Sequence, residues 1–474
     1  MLELLITYPV AIAALSLLIT NYQMRSWLLP LSAAPHLGIS ILLVCDYFPS
    51  YGNWIGLDAL SKLVLITTSI LFLGCAIYAV GYLDIRRDRG NKVMVPCLLI
   101  FLSAMTLAIV ARHLGLMWFA VEATTIASAP LIYFNYNRLS IEATWKYLLI
   151  CSVGIALAML GIMFIAYSAL GVADPISLHL DALLQTAPQM SRPWLHAGFI
   201  FLLVGFGTKM GLAPLHTWKP DAYGEAPGLV GALLAGGLTS VAFLAILRGL
   251  QLMTAAGDGD MARQALLGMG MLSLLIAAIF MVRQPDIKRL LAYSSVEHMG
   301  LLAIGVSMGG IATFGAMLHL INNALTKGGL FLTAGNIQRS FGSKSLNEVR
   351  GAIVALPISG TLFLMGFLAI TGSPPFGPFI SEFTILRGIF ASDKMIIGAL
   401  VLLFLAVVFI GMGATVLSAT QGEPGDQPAQ FFDRPLLYIS PLCFMVIVLI
   451  IGVYIPEPLQ AALHRAAALL EVQP

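Results

Sequence analysis

Four ionisable residues stand far inside long apolar stretches of this 474-residue chain: Glu122, Lys209, Lys327 and Glu382. Glu122 lies eight residues into its stretch and Lys327 sixteen, depths of about 12 Å and about 24 Å along a helix rising 1.5 Å per residue. An ionisable group at such depth in a bilayer costs roughly 2.5–3.5 kcal/mol on insertion scales, so it faces a bundle interior or a wet cavity. The chemistry open to buried ammonium and carboxylate groups is proton exchange. An ammonium beside a carboxylate holds its proton, and an ammonium parted from it lets the proton go.

Other polar residues share these surroundings. His319, Asn323 and Lys327 recur at i, i+4 and i+8, which keeps them on one helical face drifting about 40° per step. A donor, an amide and an ammonium in a stripe suit a hydrogen-bonded relay, although His and Asn also serve as interhelical clamps in membranes. Lys209 sits in Gly205-Phe-Gly-Thr-Lys-Met-Gly211, followed by Pro214, His216, Trp218, Lys219 and Asp221. Glu382 follows Gly372-Ser-Pro-Pro-Phe-Gly-Pro378. Glycine and proline at both places predict opened helices, tolerated at membrane depth only where they line protein or a cavity. Glu297 and His298 are adjacent and point about 100° apart, so at most one of them faces a given axis.

The elements that must hold these groups follow from composition. The chain is 59% hydrophobic and 10% charged, against about 25% charged in ordinary soluble domains. Such a chain cannot cover a soluble surface, and a net charge of +2 implies no polyanionic partner. A soluble enzyme, a disordered scaffold and a nucleic-acid binder are excluded. The expected fold is an all-α polytopic membrane protein with about fourteen spans, bracketed at 3–20, 27–45, 58–82, 93–111, 114–134, 146–170, 196–216, 228–249, 265–283, 290–308, 311–336, 352–391, 396–419 and 435–456. The seventh and the twelfth are expected to be broken.

Loops after odd spans hold fifteen Lys or Arg and loops after even spans five, a bias that puts the odd loops in the cytoplasm and both termini on the outer side. Lys219, Lys288, Arg25, Arg112 and Arg248 are all counted there as loop residues. Lys62 and Arg387, near the ends of their elements, are expected to snorkel. The longest loop, 171–195, reads as polar residues and little else. The 18 residues after the last span read as a tail, and the acidic start reads as a retained first span rather than a signal peptide. Cys45, Cys75, Cys97, Cys151 and Cys443 are scattered and read as packing residues. Gly205–Gly211 is no dinucleotide fingerprint, since it has no βαβ context.

The breaks lie five spans apart, as do Glu122 and Glu297. An odd offset gives repeats of opposite topology with sites at discontinuous helices. The chain therefore divides into 1–92 (three helices), 93–250 (first five-helix repeat, spans 4–8), 265–419 (second, inverted repeat, spans 9–13) and 435–474.

On these features the chain resembles the antiporter-like membrane subunits of respiratory complex I, Mrp-type cation/proton antiporters and group 4 membrane-bound hydrogenases. The matching segments are MWFAVEATTIASAPLIYF around Glu122, GTKMGLAPLHTWKPDAYGEAPG around Lys209, MLHLINNALTKGGLFLTAGN around Lys327 and GSPPFGPFISEFTIL around Glu382. Within that family Ile287-Lys-Arg-Leu-Leu-Ala-Tyr-Ser-Ser-Val-Glu-His-Met-Gly300 is most similar to the F subunit of hydrogenase-4 and formate hydrogenlyase complexes.

The resemblance implies a proton path in which Glu122 and Lys209 gate a first half-channel, Lys327 connects, and Glu382 ends the second half-channel with His319 on the way. His216, Glu297, His298, Thr239, Ser240 and Asn323 are further candidates. It also implies a prokaryotic inner membrane, other membrane subunits and a peripheral redox arm on the cytoplasmic side as partners, and no cofactor bound by this chain. Three departures stand out. The eighth span has no Lys or His where many relatives place one, leaving Thr239, Ser240 and water; Asn323 replaces a frequent histidine; and the chain ends without the long lateral helix of the largest relative. Three functions remain open: a proton-translocating subunit of a redox-driven complex, a cation/proton antiporter subunit without redox coupling, and a scaffold that no longer conducts.

Overall fold

A computed structural model of the chain describes residues 1–172, 177–423 and 431–471. In hydrocarbon every backbone N–H and C=O must be satisfied within its own segment, which leaves helices as the economical solution for so apolar a chain. The described residues form helices and no named strand. The chain opens with α1 (Leu2–Leu18), α2 (Tyr22–Val44), α3 (Ala59–Ile85) and α4 (Met94–Val110). Next come α5 (Leu114–Ile132), α6 (Arg138–Ser168), the short α7 (Leu180–Thr186), α8 (Arg192–Met210) and α9 (Trp218–Glu225). α10 (Gly228–Ala232) runs through a π-helical stretch, Leu233–Leu238, into α11 (Thr239–Ala255). The second half holds α12 (Gly259–Met281), α13 (Ile287–Met308), α14 (Gly310–Phe341), the single turn α15 (Ala352–Ala355), α16 (Pro357–Ile370), α17 (Gly377–Ala391), α18 (Met395–Thr420), α19 (Pro435–Val453) and α20 (Glu457–Ala468).

Helix starts follow local chemistry. The Asn21 side chain accepts from the Gln23 and Met24 amides, Asp58 caps α3 through the Ser61 amide, and Asn137 with Ser140 forms a reciprocal box at α6. Nine helices among the described residues are long and apolar enough, by length and composition, to cross a membrane; α1, α4 and α16 are apolar but shorter. α8 stops at Gly211 (φ 82°) and restarts as α9, and α16 gives way past Gly372 (φ 68°) to α17.

The core is apolar, as in a soluble domain, but here much of the outer surface is apolar too. α10 to α11 and α13 are buried along their apolar windows, whereas α6, α18 and α19 expose Leu149, Val153, Leu403, Ile410 and Ile450. Apolar side chains outside, with the few ionisable ones kept inside, are what a lipid solvent demands.

Three expectations need correction. The segment 171–195 is more than a polar loop: α7 and the 3₁₀ turn Ala187–Gln189 pack Leu180, Leu183 and Ala187 into the core, while residues 173–176 of that segment lie outside the described residues. The stretch after α19 is no bare tail, since α20 buries Leu463 and Ala466, and Arg263 donates to Leu470 O at 2.8 Å. Five basic residues counted as loop charges are buried: Arg25, Arg112, Lys219, Arg248 and Lys288. Leaving them out gives twelve against three, so the bias keeps its sign. Arg248 is buried because it meets the cap residue of α3 190 positions earlier, donating to Asp58 Oδ1 at 2.9 Å, with Arg112 3.4 Å from the other oxygen. Of the cysteines, Cys75 and Cys151 are buried, but Cys45 and Cys443 are exposed.

Candidate functional site

Two clusters of buried polar groups flank the breaks. The first begins on α5, where Glu122 and Thr125 are one turn apart and share a face. The Thr125 hydroxyl donates to Glu122 Oε2 at 2.9 Å and accepts from Lys209 Nζ at 2.7 Å. Lys209 also donates to the Tyr147 hydroxyl at 2.7 Å, and Tyr147 shares a 2.7 Å bond with Ser128. The expected Glu122–Lys209 pair is therefore not a direct ion pair: a hydroxyl stands between them. Lys209, Thr125 and Tyr147 are fully buried, whereas Glu122 is half-buried and accepts from the exposed Ser152 at 3.2 Å. Lys209 is held there by close helix packing. A Cβ at Gly205 would lie 2.5 Å from the Ala158 amide, and one at Gly161 would lie 2.7 Å from Gly198 O, so only glycine lets α6 and α8 approach so closely.

The second cluster joins α13, α14 and α17. Lys327 Nζ donates to Ser294 Oγ at 2.5 Å, and Ser294 donates to Glu297 Oε2 at 3.3 Å. Glu297 Oε2 lies 3.7 Å from His298 Nε2, and His298 Nδ1 lies 3.0 Å from His319 Nε2. His319 Nδ1 meets Ser381 Oγ at 2.9 Å, and Glu382 Oε1 lies 4.0 Å from His298 Nδ1. All these groups are buried. Gly372 makes room for the last of them, since a Cβ there would collide with Glu382 Oε2.

Glu297 and His298 point to different partners, as their 100° offset requires, yet both belong to this one line. The line does not follow the α14 stripe. Asn323 lies between His319 and Lys327 on that stripe, but its side-chain nitrogen and oxygen have no hydrogen-bond partner, and the connection passes through α13 instead.

Other candidates lie off the line. His216 is buried with Nδ1 unpartnered and its ring 6.3 Å from that of Tyr293. Thr239 and Ser240 donate back to Ala235 O and Gly236 O, both at 2.6 Å, so neither hydroxyl reaches toward a lysine. His298, His319 and Glu382 bring three possible metal-ligand atoms within 4.8 Å of one another. Both nitrogens of His319 already have protein partners, an arrangement that suits hydrogen bonding better than coordination.

Sequence reasoning missed Lys219. Read as a loop charge, it is fully buried on α9 and donates to Ser295 Oγ at 3.1 Å. It also missed Thr125, Tyr147, Ser294 and Ser295, since isolated hydroxyls carry no signal in an apolar stretch. The one available hint for Lys219 was its place five residues after Pro214, inside the segment already recognised as a break.

The family model for "NADH:quinone oxidoreductase/Mrp antiporter, TM" matches residues 111–410. The chain is 32% identical over 467 residues to a Hydrogenase-4 component F homolog of Methylacidiphilum infernorum, covering 96% of each chain. It is 26% identical over 418 residues to a Na(+)/H(+) antiporter subunit of Bacillus subtilis, covering 88% of this chain and 83% of that one. A chain of respiratory complex I from Thermus thermophilus superposes with a TM-score of 0.83 at 25% identity, over 99% of this chain and 100% of that one. The protein therefore belongs to the antiporter-like membrane subunit family defined by that model.

Proposed function

We propose that this chain conducts protons across the membrane as one subunit of a redox-driven complex. The observation that carries this reading is the buried polar line from Lys327 through Ser294 and Glu297 to His298, which faces both His319 and Glu382, matched on the other side by Glu122, Thr125 and Lys209. Two of its gaps, 3.7 Å and 4.0 Å, exceed direct hydrogen-bond length, and a small side-chain rotation would close each of them. Buried lysines suit the role because an ammonium in low dielectric exchanges its proton readily, which a guanidinium does not. Moving one charge against 100 mV costs about 2.3 kcal/mol. The drive is assigned to the rest of the complex: other membrane subunits and a peripheral redox arm on the cytoplasmic side, with no cofactor held by this chain. The likeness to a hydrogenase-4 component and to a complex I chain supports that assignment.

The same reading assigns fourteen crossings, with α8/α9 the seventh, α10 to α11 the eighth and α16/α17 the twelfth. The units 93–250 and 265–419 are inverted repeats between 1–92 and 435–474, and both termini lie on the outer side of a prokaryotic inner membrane. The surviving loop-charge bias and the two broken helices support this topology.

The deciding experiment uses the intact complex in sealed vesicles, with redox turnover and proton transfer measured together. Lys327→Ala is expected to lower proton transfer at least roughly 100-fold, the scale of a lost proton-transfer group, while redox turnover continues. Wild-type proton transfer in that variant would leave the polar line as a set of clamps. The likeness to an antiporter subunit favours one rival, exchange without redox coupling. Proton transfer that persists without electron donor and tracks an imposed sodium gradient would select that rival.

A further inference from the structure

The two polar clusters need a connection. The helix Gly228–Ala255 supplies none, because its Thr239 and Ser240 hydroxyls are turned back onto their own backbone. We propose that Lys219, on the second half of the broken helix, is the proton station that joins Lys209 to Lys327. This rests on the reading of the chain as a proton conductor.

Lys219 has the setting of a buried station and not of a surface charge. Its short helix is otherwise tied down by ion pairs nearer the surface. Asp221 meets Lys146 at 2.8 Å and Arg289 at 2.5 Å, and Glu225 meets Lys344 at 2.7 Å. The acids of α9 are thus spent at its rim, and among the described residues no carboxylate lies within 4.0 Å of Lys219 Nζ. Its side chain lies in a slot kept open at the helix break, where a Cβ on Gly211 would collide with Lys219 Cε. Gly372 keeps the corresponding space for Glu382 at the other break. Both breaks therefore admit an ionisable side chain from the half-helix that follows.

The contacts of Lys219 and of its neighbour Trp218 lead in both directions. Toward the second cluster, Lys219 Nζ donates to Ser295 Oγ at 3.1 Å, while the neighbouring residue Ser294 accepts from Lys327 Nζ at 2.5 Å. Two consecutive serines on α13 thus serve one lysine each. Toward the first cluster, Trp218 Nε1 donates to Thr208 O at 2.9 Å, fastening α9 beside the residue next to Lys209. The Trp218 ring packs 5.0 Å from that of Tyr147, the phenol that binds Lys209.

The consequence is electrostatic. Two ammoniums served by adjacent hydroxyls in a buried site disfavour each other's charge. A proton reaching Lys219 from the Lys209 side therefore favours release of the proton on Lys327 toward Glu297. Each step moves one proton, from an ammonium to a neutral amine between lysines and from the Lys327 ammonium to the Glu297 carboxylate at the end, and nothing is oxidised or reduced.

The test compares three variants of the intact complex in sealed vesicles. Lys219→Leu keeps the bulk and removes the ionisable group, and Lys219→His restores a group that can gain and lose a proton. Lys219→Leu should assemble, sustain redox turnover and lose proton transfer at least roughly tenfold, with Lys219→His recovering a clear part of the loss. Equal loss in both, or wild-type transfer in Lys219→Leu, overturns the proposal and makes Lys219 a packing residue. The third variant, Lys327→Ala, separates the two levels. If it is inactive while Lys219→Leu is normal, the station is wrong and the conducting function stands; if both are normal, the conducting function itself fails. Should Lys219→Leu not assemble, Ser295→Ala decides: a several-fold loss of transfer supports the station, and wild-type transfer overturns it.

Discussion

The two broken-helix regions solve the same problem with different materials. Around α8 and α9, Lys209 is satisfied by hydroxyls, and its partner Glu122 sits half-buried beside the exposed Ser152. Around α16 and α17 everything lies deep, the groups are imidazoles and carboxylates, and several polar atoms have no partner: His298 Nε2, Glu382 Oε1 and the amides of Asn322 and Asn323. A fully satisfied network stiffens a core, whereas an unsatisfied buried polar atom costs stability and calls for another reason to be kept. The hydroxyls around Lys209 are the more nearly satisfied of the two sets, although His216 Nδ1 and the Tyr223 hydroxyl nearby have no partner. The second set leaves more atoms free to change partners, as the proposed passage requires. A third network makes the contrast plain. His36 is held on both nitrogens, by Thr106 at 3.0 Å and Ser69 at 3.1 Å, and Ser69 bonds Ser40 at 3.0 Å. That network is closed and leads nowhere, as a clamp should.

The largest effects are expected where each region loses its ionisable group. Lys209→Met and Glu382→Gln should each lower proton transfer roughly 100-fold or more, with assembly intact by native gel. If one is dead and the other normal, only one region conducts and the symmetry is lost. Removing the hydroxyl between Glu122 and Lys209 should matter less. Thr125→Val is expected to cut transfer about tenfold and Thr125→Ser to preserve most of it, and identical rates in both would show that the hydroxyl carries nothing.

A smaller effect separates the unsatisfied atoms of the second region. Replacing an unpartnered buried amide with an apolar group should recover about 1–3 kcal/mol of desolvation cost. Asn323→Leu should therefore raise the melting temperature of the detergent-solubilised complex and change transfer by less than about threefold, small beside a lost proton donor. A lowered melting temperature together with lost transfer would mean that Asn323 holds water on the path. The smallest effect on transport is expected at the closed clamp. His36→Leu should destabilise by about 1–3 kcal/mol and leave transfer unchanged, and loss of transfer there would break the distinction between clamp and passage.

Much of this was legible along the chain because the relevant signals are local. Apolar stretches declare helices through their length, and the glycines and prolines at 205–214 and 372–378 declare the breaks through backbone chemistry. Glu122, Lys209, Lys327 and Glu382 stand out because a charge deep in an apolar stretch is costly without a partner. Lys219 did not stand out, because Trp218, Pro220 and Asp221 around it make the segment read as a loop.

What the sequence by itself determined is therefore the solvent, the helical class, the two breaks and the four deep charges, each a matter of neighbours along the chain. Tertiary structure alone decided which groups meet: Asp58 with Arg248, Thr125 between Glu122 and Lys209, Ser294 and Ser295 under two lysines, and Lys219 inside the protein. The physical reason is range. Hydropathy and backbone strain act over a few residues, whereas burial and hydrogen bonding of a side chain depend on helices 33 to 190 positions away, brought together only when elements such as α6, α9, α13 and α14 pack.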